Sequence, residues 1–264
     1  MRVIDLNDEH RALFACCLED WSDEAVQAGP RRSCWVERFL SRGLRAKLAL
    51  DDEGRVRGMI QYLPIEESWV DGEGLHLVLC IWVPGRRQGH GNARGRGMGR
   101  ALLAAAEDDA RAQGAEGMAA WGIALPFWMK ASWFRRHGYR RVDRQGISVL
   151  LWKPFTPQAR PPRWLPTGNK LPEPTPGKVN VTVFNNGWCT AGNLVAERAR
   201  RAAAAFGDRA VYREIDTSEP AAAAGWGQTD ALFIDGRQVR TGPPPTYEKI
   251  HSRVERRARR LPGP

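Results

Sequence analysis

The chain is poor in lysine and cysteine and has no long apolar run. No window approaches eighteen apolar residues, which argues against a membrane span. The start, Met1 to Glu9, has no apolar run behind a basic segment, so no secretory signal is expected. The five cysteines, Cys16, Cys17, Cys34, Cys80 and Cys189, are odd in number and form no C-x-x-C pair. That pattern suggests neither a disulfide framework nor a zinc site. A reducing, cytoplasmic setting is the expectation. No internal repeat is present.

What is present is an excess of arginine. The 264 residues carry a net charge of +10, built from 34 Arg and only 6 Lys. Residues 1–153 account for +3 of it and 178–264 for +5. One basic stretch is 84–100, with Arg86, Arg87, Arg94, Arg96 and Arg100 and no acid. The other is the end, with Arg253, Arg256, Arg257, Arg259 and Arg260. Such an excess raises the question of nucleic acid. No RRM, OB-fold or helix-turn-helix signature accompanies it, and the last helix would carry arginine on most faces, so nucleic acid is not the expected partner.

Length fits one large or two modest domains. Between Pro154 and Gly177 lie eight prolines, which exclude helix and central strand and favour a stiff connector. The expected division is therefore 1–153, a linker 154–177, and 178–264. Within the linker, Trp164 and Leu165 suggest partial packing on a domain. The first part reads as mixed α/β. Strands are expected at 2–5, 45–50, 56–64, 75–83, 117–123, 140–143 and 147–152, with a turn at Asp51-Asp52-Glu53-Gly54. Helices are expected at 9–18, 33–41, 98–113 and 127–137, the last closed by Gly138. The second part reads βαβ and then ββα: strands at 178–184, 210–216, 231–234 and 238–240, helices at 190–206 and 247–260.

The segment Arg94-Gly95-Arg96-Gly97-Met98-Gly99 follows an apolar strand and opens a helix. Glycines let backbone N–H groups converge on an anion, and a helix start adds unpaired donors. Arg94, Arg96 and Arg100 can neutralise phosphate oxygens, so a diphosphate is the natural ligand. Arg86 to Gly91 has the same spacing but no helix directly behind it, so the second register is preferred. No acidic residue ends a strand where a dinucleotide fold needs one.

These features, with Phe134-Arg135-Arg136-His137-Gly138-Tyr139 and the order of elements over 1–153, resemble the GNAT acetyltransferases. The run Gly117 to Gly122 with Leu125 to Met129 resembles the subgroup with a YoaP-like C-terminal part. The resemblance implies a GNAT acyltransferase fold followed by a small thioredoxin-like α/β domain. It implies acetyl-CoA as donor, with its pyrophosphate on Arg94–Gly99. Backbone N–H groups near Ile81, Trp82 and Val83 would polarise the thioester carbonyl. The acceptor would be an amine, on a small molecule or a peptide, attacking directly with help from a base and an acid.

The chain departs from the family pattern at the acid. Where the family often has a tyrosine to protonate the CoA thiolate, this chain has Phe134, and Phe127 stands where an Asn is common. Tyr139 and His137 are alternative acids, though Tyr139 sits at a packing position. For the base, Glu66 and Glu67 follow a central strand, and either can equally be a solvated loop carboxylate. His76 is a further candidate, or a plain strand histidine. Trp121, Phe127, Trp128 and Trp133 suit an acceptor wall or a core.

Trp188-Cys189-Thr190-Ala191-Gly192 lies between a strand and a helix start, a placement that lowers a thiol pKa. It resembles the thioredoxin-like turn Trp-Cys-x-x-Cys, with Gly192 in place of the second cysteine. The cis-proline of that fold would fall at Asp230. Without a second thiol, dithiol exchange is disfavoured. Cys189 is then a structural relict, a monothiol site, or an aid to substrate positioning. The leading expectation is an acetyl-CoA-dependent N-acetyltransferase. The alternative is a non-catalytic acyl-CoA-binding or thiol-sensing protein.

Overall fold

Alternating apolar residues and short turns build the first sheet. Strands β1 (Arg2–Asp5), β2 (Arg45–Leu50) and β3 (Val56–Pro64) pair antiparallel. The Asp51 carboxylate closes the β2–β3 hairpin by accepting the Glu53 and Arg55 N–H groups at 3.1 and 2.9 Å. After the two-residue β4 (Val70–Asp71) comes β5 (Leu75–Trp82), antiparallel to β3. Strand β6 (Gly117–Ile123) is parallel to β5; β7 (Arg140–Gln145) and β8 (Ser148–Pro154) form the final hairpin. Among the described residues the sheet has seven strands in the order β1-β2-β3-β5-β6-β8-β7. A small ribbon pairs β4 with β9 (Arg163–Trp164). The Trp164 N–H also donates to Asp143 at 2.9 Å, so this part of the proline-rich stretch packs on the sheet.

This is the computed structural model of residues 1–18, 23–85, 91–125, 128–168, 170–239 and 244–262. It divides into two compact units: Met1–Trp21 with Val36–Leu165, and Ser22–Trp35 with Pro166–Pro264. Two differences from the expected division follow. The expected linker is shared between the units, and a short early segment belongs with the C-terminal one.

In the first unit, α1 (Arg11–Ala15) is short, because Cys17 and Leu18 turn to positive φ. The crossover between β5 and β6 is α3 (Met98–Ala112); of the earlier α2 (Asp23–Leu40) only the part from Val36 belongs to this unit. Helix α3 buries Leu102, Leu103, Ala106 and Ala110, and the first three join Ile60, Tyr62, Val78, Met118 and Phe134 in the core. Helix α4 (Ala131–Arg136) is shorter than expected, since Met129 at φ +45° cannot continue a helix backward.

Two features of β5 matter for function. It pairs with β6 only from Leu75 opposite Gly117 to Val78 opposite Ala120. Beyond that the two parallel strands separate, and Ile123 bridges Lys130 instead. On the other side, Tyr62 faces Val78 while Gln61 faces Cys80, so Leu79 is an extra, bulged residue. A bulge bends its strand, and this one lies where the splay begins.

Helix α2 starts ten residues before the expected Ser33. Pro30 in its middle lacks an N–H and removes one helical bond. Burial of the apolar Ala28, Trp35, Val36 and Phe39 outweighs that loss.

The second unit is β10 (Val179–Asn185), α5 (Thr190–Ala204), β11 (Ala210–Asp216), α6 (Pro220–Trp226), β12 (Ala231–Ile234), β13 (Arg237–Gln238) and α7 (Tyr247–Ala258). Its sheet order is β11-β10-β12-β13, with β10 parallel to β11 and the other pairs antiparallel. Helix α6 was not expected. Its Ala-rich stretch has no amphipathic period, and its limits are set by Pro220 at the first turn and Gly227 at φ +66°. The core joins Val181 and Val183 to Ala196, Ala199, Ile250 and Val254 of the flanking helices.

Candidate active site

The Gly/Arg loop is closed at its base. The Ala93 N–H donates to the Pro84 carbonyl at 2.9 Å, which ties the start of the Gly/Arg segment to the end of β5. Of the alternative register, Arg86 to His90 lie outside the described residues. Arg94 is laid back along the strand end, with Nε donating to the Val83 carbonyl at 3.4 Å. Gly85 makes this possible, because a Cβ there would sit 2.2 Å from Arg94 Nε. Arg96 and Arg100 are exposed.

Gly95 and Gly97 both have φ +79°, and nothing stands within 4 Å of where their Cβ atoms would be. The backbone of this turn is therefore open to an approaching group. Gly97 is the N-cap of α3 and supplies no side-chain acceptor. The first intrahelical bond is Ala101 N–H to the Gly97 carbonyl at 3.0 Å. The N–H groups of Met98, Gly99 and Arg100 have no acceptor within the helix, which leaves a converging set of donors at its positive end. Buried Met98 anchors the turn from below. Those donors, the open glycines and two exposed guanidinium groups fit a diphosphate.

The splay between β5 and β6 is the second component. Its walls are Ile81, Trp82 and Val83 on one side and Trp121 on the other, all half-buried. The Trp121 indole N–H donates across the wedge to the Leu79 carbonyl at 2.8 Å. Trp128 packs edge-on against Trp121, with centroids 5.2 Å apart. The Ile81 N–H points into the wedge and donates to the sulfur of Met129 at 3.5 Å. Met129 belongs to the Leu125 to Met129 run and to the expected 127–137 helix, and neither marks it as a site residue.

The candidate bases are not brought to the wedge. Because β3 and β5 are antiparallel, Pro64 at the end of β3 faces His76 near the start of β5. Glu66 and Glu67 follow Pro64 in a short 3-10 turn, at the end of β5 remote from the loop. At about 3.3 Å per residue, the two ends of the eight-residue β5 are about 23 Å apart. Glu66 accepts the Gly74 N–H at 2.7 Å, and Glu67 pairs with Arg42. His76 is buried edge-on to Tyr62, with centroids 6.0 Å apart, and burial holds its pKa below the ordinary value.

The candidate acids fare differently. Phe134 is fully buried in the core, with Tyr139 packed against it at 5.5 Å. Burial, followed by the Glu107 charge, pushes the Tyr139 phenol well above its ordinary pKa. That hydroxyl is enclosed beside α3, so the expected acid role is replaced by a packing one. His137 stacks on Trp133 at 4.1 Å and donates from Nδ1 to the Trp133 carbonyl at 2.8 Å. Trp133 in turn lies 3.4 Å from the Cβ position of Gly99, at the start of α3. Phe127 lies outside the described residues; Trp121, Trp128 and Trp133 pack against the core.

In the second unit, Cys189 is the N-cap residue of α5, half-buried and without a side-chain capping bond. The turn before it is shaped by side-chain amides. Asn185 accepts the Gly187 N–H at 3.1 Å, and Asn186 accepts the Trp188 N–H at 3.2 Å. Arg32, fully buried, donates to the Trp188 carbonyl. A Cβ on Gly192 would lie 3.1 Å from an Asp230 oxygen, and that carboxylate accepts from Asn186 Nδ2 at 2.8 Å.

A splayed pair of parallel strands beside a glycine-opened helix defines the class, an α/β acyltransferase. The model of the acetyltransferase (GNAT) family matches residues 6–139, about half of the chain, and the chain belongs to that family. It is also similar to several solved structures. A ribosomal-protein-alanine N-acetyltransferase from Brucella melitensis is 19% identical, over 59% of this chain and 100% of that one, with a TM-score of 0.45. The YhbS acetyltransferase of Escherichia coli in complex with CoA is 15% identical, over 62% and 88%, at 0.43. The PaiA N-acetyltransferase of Thermoplasma acidophilum in complex with coenzyme A is 15% identical, over 59% and 100%, also at 0.43. No curated protein matches the chain. Among the described residues, no helix is long and apolar enough to cross a membrane.

Proposed function

We propose that the first unit is an acetyl-CoA-dependent N-acetyltransferase. The observation that carries this is the open turn at Gly95 and Gly97, which starts α3 beside the splayed end of β5. Arg96, Arg100 and the N–H groups of Met98 to Arg100 would hold the pyrophosphate, and Ile81 to Val83 the thioester end. The acceptor is an amine of a small molecule or a peptide. Its neutral nitrogen attacks the thioester carbonyl. The amide C–N bond forms, the C–S bond breaks, and the proton lost by nitrogen ends on the thiol of CoA. His137, held by the bond of its Nδ1 to the Trp133 carbonyl, is the candidate for relaying that proton through Nε2.

The C-terminal unit is read as a YoaP-like, thioredoxin-like domain. Support comes from the β-α-β-α-β-β-α order, from the sheet order β11-β10-β12-β13, and from Cys189 at the start of α5. The acetyl-transfer reading assigns no chemical step to Cys189. A cytoplasmic setting suits both reduced thiols and an acyl-CoA donor.

Enclosure of Phe134 and Tyr139 favours a second reading, in which the unit binds acyl-CoA without catalysis. Titration with acetyl-CoA should raise the melting temperature of the wild type. Gly97→Trp should weaken binding at least tenfold and leave the far-UV spectrum unchanged. An unaltered melting temperature in the wild type would sink both readings. Release of CoA with a panel of amines then separates enzyme from binder.

A further inference from the structure

Met129 stands where the proposed acyl group has to go. Its sulfur lies 3.5 Å from the Ile81 nitrogen, on the N–H that points into the wedge. A thioether is a weak acceptor, so this N–H is held for a better one. Met129 is 6% exposed and belongs to the core cluster against which Trp121 and Trp128 pack.

The backbone beneath that side chain is pinned. The Ile123 N–H donates to the Met129 carbonyl at 2.7 Å, and Ile123 bridges Lys130. Opposite them is Gly122, where a Cβ would meet the Met129 carbonyl and the Ala131 backbone at 2.8 Å. Met129 itself is held at φ +45°, a costly conformation for a residue with a Cβ. A locked backbone leaves only the three rotatable bonds of the thioether free to respond. What room appears at Ile81 is therefore set by how far that one side chain can turn.

We infer that Met129 is a specificity-determining residue that occupies the acyl position in the free protein and limits the length of the acyl chain accepted. The inference rests on the acyl-CoA reading of the site. A two-carbon acyl group fits once the sulfur leaves the Ile81 N–H; a four-carbon group meets the displaced thioether.

Calorimetric binding of CoA, acetyl-CoA and butyryl-CoA to the full chain tests this. The wild type should bind acetyl-CoA at least tenfold more tightly than butyryl-CoA. Met129→Ala should reduce that ratio at least tenfold with CoA binding changed less than threefold. Met129→Leu keeps the bulk and removes the sulfur acceptor. It should keep the chain-length ratio and bind acetyl-CoA about threefold more tightly. An unchanged ratio in a folded Met129→Ala protein that still binds acetyl-CoA overturns the inference alone. No binding of CoA or acetyl-CoA by the wild type overturns the acyl-CoA reading and the inference with it.

Discussion

Gly97 and Gly122 are glycines for opposite reasons. Gly97 needs a positive φ in open space, while Gly122 has its Cβ position already filled by the Met129 carbonyl and the Ala131 backbone. Neither neighbour of Gly122 is a flexible side-chain end, so neither gives way cheaply. Gly122→Ala should therefore destabilise the first unit by about 1–3 kcal/mol, seen as an earlier urea midpoint at unchanged slope. A midpoint equal to the wild type would show that the backbone at Met129 and Ala131 gives way without cost. Gly97 was legible in the sequence because its glycine spacing and the helix behind it are local. Gly122 and Met129 were not, because nothing in linear order tells what stands across a splayed strand. The misplaced bases have a similar origin: Glu66 and Glu67 are near a central strand in sequence, but at its wrong end once β3 and β5 run antiparallel.

At the scale of elements, periodic segments such as β2, β3, α3 and α5 came out close to expectation. Elements held by tertiary contacts did not. Helix α2 continues through Pro30, and its early turns carry ion pairs that proline alone would have argued away. Arg31 forks onto Glu214 of β11 at 3.0 and 3.0 Å, and Tyr212 donates to the same carboxylate at 2.6 Å. Burial works to raise the Glu214 pKa, but Arg31, Tyr212 and Asn185 together hold it below the ordinary value. A depressed carboxyl contributes stability above its unfolded pKa, about 4.3, and loses it as pH falls through the folded value. Glu214→Gln should cost about 1 kcal/mol at pH 7, a figure kept small because the pair is partly solvated. The gap between variant and wild type should close on acidification below about pH 4.3. A constant difference from pH 7 to pH 3 would assign the effect to packing instead of charge.

Across the whole molecule, the basic excess is divided between different tasks. Arg96 and Arg100 face solvent at the start of α3. In the second unit, Arg209 donates to the Ala258 carbonyl at the end of α7 at 2.6 Å, and Arg259 pairs with Glu255 at 2.6 Å. Part of the basic tail is thus spent on closing its own helix. The proline-rich stretch looked like a clean boundary, but cutting there separates residues 22–35 from their unit. A fragment of residues 166–264 loses the Arg31–Glu214 fork, the pairing of Glu24 with Arg198, and the Arg32 bond to Trp188. It should melt several degrees below the C-terminal transition of the full chain, by circular dichroism. Fusing 22–35 to it through a flexible linker should recover most of that loss. Equal melting of fragment and full chain would show that the early segment is dispensable.

The same segment sets an order of events on the ribosome. Residues 22–35 are made before the strands and helices of the unit they complete. At about 5–20 residues per second, the interval over the roughly 230 residues that follow is about 10–50 s. Throughout it, Arg32 and Trp35, buried in the finished protein, await the rest of their unit. A chain truncated inside the proline-rich stretch therefore carries residues 22–35 without the unit that they complete.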